Sequence, residues 1–208
     1  MALRHAVLAA LLDGELSGYQ LAKLFDVNIS NYWHALPQQL YTELARLETE
    51  GVVAGRQVIQ VDRPNKRVYS LTDAGRKAMA EFIGGPSKPP FVRDDLLVKM
   101  QAAELGDLTQ LIEQLEDRAA EARARVAQYD KRHKRARGDL DEETFLATSP
   151  RVGDYLVGLR GKTFEQSTLE WCDRVVDILK RRIAGEAERH EHGHRESVQR
   201  DDDRSQRA

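Results

Sequence analysis

The chain has 208 residues, 41% of them apolar and 32% charged, with 32 Lys and Arg against 34 Asp and Glu for a formal charge of −2. That length suits one large domain or two small ones. No apolar run approaches the ~20 residues of a membrane helix, so a spanning protein is excluded. The single cysteine, Cys172, excludes an internal disulfide and a cysteine-rich zinc site. The N-terminus lacks a signal-peptide pattern, and a cytoplasmic protein is expected.

Leu3, Val7, Ala10 and Leu11 mark the apolar face of a first helix that Gly14 stops. In Leu16-Ser17-Gly18-Tyr19-Gln20-Leu21, Ser17 can cap a second helix. Gln20 closes a capping box, and Leu16 and Leu21 stand at the staple positions. A third helix is expected from Pro37 to Glu50, with Leu36, Leu40, Leu44 and Leu47 on one core stripe. Gln38, Thr42, Ala45, Arg46 and Thr49 fall opposite that stripe, with Gln39 and Tyr41 on its flanks. The period then changes. Val58-Ile59-Gln60-Val61 and Val68-Tyr69-Ser70-Leu71 read as two strands joined by a turn at Pro64-Asn65. Thr72 or Asp73 can cap a fourth helix through Ala78, Met79 and Phe82.

Three short helices and a hairpin follow the order of a winged helix-turn-helix. The polar outer face of the third helix suits a major groove, where Gln and Arg bond base edges. From Arg56 to Lys77 the chain carries Arg56, Arg63, Lys66, Arg67, Arg76 and Lys77 against Asp62 and Asp73, a local +4 in a chain of net −2. Such an excess suits contact with phosphates. The bland alternative is an ordinary solvated hairpin. The alternative of another class is a protein-binding winged helix that never touches DNA.

Three stretches resemble one family. Leu16–Leu21 is similar to its "L-S-G-Y-E-L" start of the second helix. Gln39–Val53 resembles its "I-Y-x-x-L-x-x-L-E-x-E-G-L-V" run, and Arg67–Gly75 resembles "R-x-Y-x-L-T-x-x-G". Together they resemble the PadR family of bacterial transcriptional regulators. The resemblance implies a homodimeric regulator, usually a repressor, whose hold on operator DNA is relieved by a small molecule. It places Tyr19, Gln39, Tyr41 and Thr42 near DNA, and Lys66 and Arg67 on phosphates. Gln38 and Arg63 join them from the helix face and the wing charge. At Pro37-Gln38-Gln39, where family members more often carry small residues, the chain departs from the pattern.

Gly84-Gly85-Pro86-Ser87-Lys88-Pro89-Pro90 breaks the chain into a winged-helix domain over 1–83 and a helical region over 91–184, with 84–90 as linker. Leu108, Ile112, Leu115, Ala119, Ala122, Val126 and Tyr129 follow a 4, 3 spacing for about three heptads, a coiled-coil seam. Leu169, Cys172, Val176, Leu179 and Ile183 form a second seam, broadened by Val175 and Ile178. The two seams can pack on each other or on their copies in a second subunit. Tyr155–Gly161, Glu165 and Leu169–Asp173 resemble the C-terminal helices of longer PadR members, which build that family's dimer. The resemblance therefore implies dimer contacts at or near Leu108, Ile112, Leu115, Leu169, Cys172, Val176 and Leu179. The expected fold is mainly α: an N-terminal winged helix-turn-helix with a small hairpin wing, then a helical dimerisation region.

The run Lys131–Arg137 reads as a solvated helix end favoured by the helix dipole, with a second DNA contact as the alternative. From Gly185 to Ala208 only Ala187, Val198 and Ala208 are apolar, so a disordered charged tail is expected. Its alternating His190, His192 and His194 suit a polar tail more than a metal site. Trp33, Phe164 and Trp171 are candidates to line an effector pocket, and each is also a natural core anchor. No phosphate loop or nucleophile elbow is present, so neither an enzyme nor a cofactor is expected.

Overall fold

The structure, a computed structural model, describes residues 2–29, 32–60, 65–87, 89–90 and 92–205, with side-chain surroundings described within 3–185 apart from 27 and 28. Arg63 lies outside the described residues, as do the side chains of His190, His192 and His194. The chain divides into two units, Met1–Pro90 and Phe91–Ala208, and the division falls at the end of the Gly/Pro stretch.

In the first unit, α1 (Ala2–Ala10) is followed by β1 (Leu16–Ser17), α2 (Gly18–Leu24) with one π turn after it (Phe25–Ile29), and α3 (Pro37–Thr49). Then come β2 (Val53–Val58), β3 (Lys66–Leu71) and α4 (Asp73–Ile83). The capping box at Ser17 forms as its sequence suggests, and Gly51, with φ +73°, ends α3 in the left-handed region. Leu40, Leu44 and Leu47 are buried with Val7, Leu8, Leu21, Phe25 and Val53 in one core. The first wing strand lies earlier than the alternation of Val58–Val61 suggested. Pairing sets it: Val53 stands opposite Leu71 and Val58 opposite Lys66, which buries Val53 and leaves Ile59 81% exposed. A third strand, the two-residue β1, pairs with β3 at Tyr69 and Val68.

In the second unit, α5 (Asp95–Gln101) and a 3-10 turn (Ala103–Leu105) precede α6 (Leu108–Arg137), α7 (Glu142–Thr148) and α8 (Gly153–Ser205). Helices α6 and α8 run antiparallel. Glu116 pairs with Lys180, Arg123 with Asp173 and Asp130 with Lys162, so one number rises as the other falls. Leu96 of α5, Leu111, Ile112, Leu115 and Ala119 of α6, and Cys172, Val176 and Leu179 of α8 share one core. The tail differs from its expectation, because the backbone of α8 continues as helix through Ser205. Glu, Arg, Gln and Ala there have good intrinsic helix propensity, which a count of buried apolar residues does not weigh. Among the described residues no helix is long and apolar enough to cross a membrane.

Candidate nucleic-acid interface

Ser17 Oγ accepts the Gln20 backbone N–H at 3.2 Å, and Gln20 Oε1 accepts the Ser17 N–H at 2.9 Å. This reciprocal cap fixes the first turn of α2 and presents Tyr19, 71% exposed. Beside it stands Gly18. A Cβ at that position would lie 2.3 Å from Cε1 of Tyr41, so the Tyr41 ring rests directly on the α2 backbone. Only a glycine leaves room for that contact. Tyr41 remains 48% exposed, held at the seam between α2 and α3 with part of its ring facing solvent.

On α3, Gln38, Gln39, Tyr41 and Thr42 are all exposed, as expected for an outer face. Two of them have local work. Gln39 Oε1 accepts the Leu36 N–H at 2.9 Å, which caps a helix whose N-cap residue has no polar side chain, and leaves the Gln39 amide NH2 to donate outward. Thr42 Oγ1 donates to the Gln38 carbonyl at 2.9 Å, which leaves its methyl and lone pairs outward. Arg46 is held by acids on its own helix. Its Nε donates to Glu50 Oε1 at 2.8 Å, and its Nη1 lies 3.6 Å from Glu43. Those contacts, Glu50 first, push the Arg46 pKa up, and Arg4 with Arg46 pulls the Glu50 carboxyl down.

The wing carries cations of two kinds. Arg56 pairs with Glu15 at 2.6 Å, and Arg67 donates through Nη2 to Glu48 Oε1 at 2.5 Å. Lys66, Arg76 and Lys77 are exposed, and no carboxylate of the described residues bonds their charged groups. The expectation for Lys66 therefore stands on an outward cation, whereas Arg67 is turned back onto α3. The hydrogen bond from Arg67 to Glu48 raises the Arg67 pKa. Gly18 and Glu48 stand in the sequence motifs without a role of their own, and Gly55 stands outside them. An isolated glycine inside a strand pattern is a known sign of close backbone approach, and Gly55 is such a residue.

The seven residues expected at or near the dimer contact all belong to the core of their own unit. Ile112, Leu115, Cys172, Val176 and Leu179 are buried within their own chain, and Leu108 and Leu169 pack half-buried against the same core. The two seams meet each other because α8 returns antiparallel along α6. What α8 leaves outward is a second stripe of Val157, Phe164 and Ile178, with Trp171 and Val175 between them partly buried against the same core. Val157, Phe164 and Ile178 are each nearly half exposed. Of the effector candidates, Trp33 packs against the core of the first unit and Trp171 against that of the second, while Phe164 stands on the outer stripe of α8. None of them lines the hollow of about 290 Å³ between α5 and α6, whose walls are charged: Asp95, Lys99, Asp117 and Arg118. Among the described residues, no three His, Cys, Asp or Glu side chains gather as metal ligands.

Residues 7–81 match the family described as "Transcriptional regulator PadR-like family", and residues 92–180 match "Virulence activator alpha C-term". A Mycobacterium tuberculosis protein described as "Probable transcriptional regulator Rv1176c" is 34% identical over 194 residues, covering 86% of this chain and 98% of that one. The fold is similar to Bacillus subtilis PadR solved in complex with operator DNA, with TM-score 0.69 and 24% identity over 86% of this chain and 99% of that one. The same regulator solved in complex with p-coumaric acid has TM-score 0.63 and 23% identity, covering 86% of this chain and 99% of that one.

Proposed function

Because the chain belongs to the PadR-like family of transcriptional regulators, we propose that it binds double-stranded operator DNA as a homodimer, as a repressor released by a small molecule. One observation carries the DNA reading. Tyr41 is clamped on Gly18 at the head of an exposed polar helix, and on the same unit the wing presents outward-facing Lys66. A helix of that polarity suits a major groove, and a cation on the wing suits the flanking backbone. Tyr19, Gln38, Gln39, Tyr41 and Thr42 are the residues of the groove face, and the wing adds Lys66. The family is one of transcriptional regulators rather than enzymes.

The dimer reading rests on the outer stripe of α8, where Val157, Phe164 and Ile178 stay nearly half exposed beside the face that α6 covers. Symmetric pairing of such a face gives two reading heads for two half-sites. The repressor and effector readings are supported by family membership, and by a regulator of the same fold having been solved both with operator DNA and with a phenolic acid.

The test is selection of bound sequences from random duplexes at physiological salt. An enriched inverted repeat is expected. If no duplex is retained even in dilute buffer, the reading fails and a protein-binding winged helix takes its place.

A further inference from the structure

One carboxylate oxygen joins three elements of the winged helix. Glu48 Oε1, on α3, accepts the backbone N–H of Gly55 on β2 at 3.1 Å and the Arg67 guanidinium from β3 at 2.5 Å. The crowding there is severe. A Cβ on Gly55 would lie 2.4 Å from Glu48 Oε1 and 2.6 Å from Arg67 Nε. The strand register places Gly55 opposite Tyr69, and the Arg67 guanidinium lies over the Tyr69 ring, 6.0 Å from its centre. Burial raises the Tyr69 pKa, with Arg67 pulling it down and Glu48 and Tyr41 pushing it up. The wing is thus joined to α3 near that helix's C-terminal end.

We propose that Gly55, Glu48 and Arg67 form a tether fixing the wing to α3, in which Glu48 and Arg67 are positioning residues for operator discrimination rather than groups that hold DNA. The proposal rests on the DNA-binding reading of the same face. Arg67 and Glu48 cancel in charge, so the pair adds nothing to phosphate attraction at long range. What the pair fixes is the angle at which the wing leaves the helix. Specific binding needs the helix in the groove and the wing on the flanking backbone at once. Non-specific binding needs only cations near phosphates. Loosening the tether therefore weakens the operator complex and leaves the non-specific complex nearly as it was.

The experiment compares the wild type with Gly55→Ala, Glu48→Gln/Arg67→Gln, Arg67→Lys and Lys66→Ala in the full chain. Affinity is measured for the selected duplex and for a scrambled duplex of the same length, across a salt series. Gly55→Ala changes no charge, and the double variant changes no net charge. Both are expected to lose about tenfold in the ratio of specific to non-specific affinity, the scale of one disturbed base contact, with the salt slope unchanged. Arg67→Lys, which keeps a cation on Glu48, holds most of the ratio. Lys66→Ala lowers the slope by about two, roughly 0.9 for each phosphate released by two wings. If the double variant instead lowers the slope as Lys66→Ala does and weakens both duplexes alike, Arg67 is a phosphate ligand and the tether is wrong. An unchanged ratio in Gly55→Ala overturns it equally. If the double variant does not fold, Gly55→Ala and Arg67→Lys still decide. A wild type that binds neither duplex defeats the DNA reading itself, a different failure from either.

Discussion

Gly18→Ala separates the role of the Tyr41 clamp in binding from any role in stability. The added methyl would sit 2.3 Å from Tyr41 Cε1, where ordinary contact begins at 3.4 Å, so the ring edge must move by about 1 Å. It can do so, because Tyr41 is 48% exposed and has solvent on its far side. The helix itself gains, since alanine is favoured over glycine by up to ~1 kcal/mol. The fold is therefore expected to melt at or slightly above the wild-type temperature. Binding moves the other way. Losing one contact worth about 1 kcal/mol in each of two heads weakens the operator complex by about 2 kcal/mol, roughly 30-fold in Kd. Fluorescence anisotropy on the selected duplex reads the Kd, and a thermal melt of the same preparation reads the fold. Tyr41→Ala is expected to lose at least as much, and adding Gly18→Ala to it to lose nothing more. An operator Kd within twofold of the wild type would refute the reasoning. So would a melting temperature that falls in step with affinity, because Gly18 would then serve packing alone.

Gly75 gives the opposite outcome: its Cβ would meet the Val52 carbonyl at 2.2 Å, and backbone cannot swing aside, so Gly75→Ala is expected to cost about 1–3 kcal/mol in a denaturant melt. Ile178→Arg on the outer stripe of α8 is expected to yield monomers in sedimentation at micromolar concentration with unchanged helical circular dichroism, and a persisting dimer would place the interface elsewhere. His133 is buried between α6 and α8, its Nε2 without a hydrogen-bond partner among the described residues and pressed on Gly158, its ring 4.2 Å from that of Tyr155. Burial, with Lys162 and Arg132, lowers its pKa against the opposing pull of Glu142 and Asp130. The unfolded chain then takes up the proton first as pH falls, so stability is full above about 6.5 and declines toward and through the lower folded value. His133→Phe is expected to flatten the loss of melting temperature between pH 7 and 5.5, and an equal loss in the variant would count against this account.

Local features were legible and paired ones were not. The cap at Ser17, the Pro37 start of α3 and its Leu40, Leu44, Leu47 stripe depend on residues within one or two turns, and spacing alone exposes them. The wing register depends on which residues face Leu71 across a gap, and the tidy alternation at Val58–Val61 pointed to the wrong segment. The two-residue β1 is too short to carry a period. Heptads on α6 declare that a partner is needed without saying which chain supplies it. Here α8 of the same chain does, and its second stripe hides one residue from the first, with exposed Ile178 beside buried Leu179.

The charge of the wing makes the same point in electrostatic terms. A sum over 56–77 gives +4, yet Arg56 is answered by Glu15 and Arg67 by Glu48, carboxylates that lie outside that span in sequence and beside it in space. Counterion release depends on cations that reach phosphate, not on cations counted. A segment sum therefore bounds the salt slope from above, and the described ion pairs lower that bound by two charges per wing. The slope of the wild type should fall short of the sequence count by that margin, with Lys66 foremost among the groups that set it.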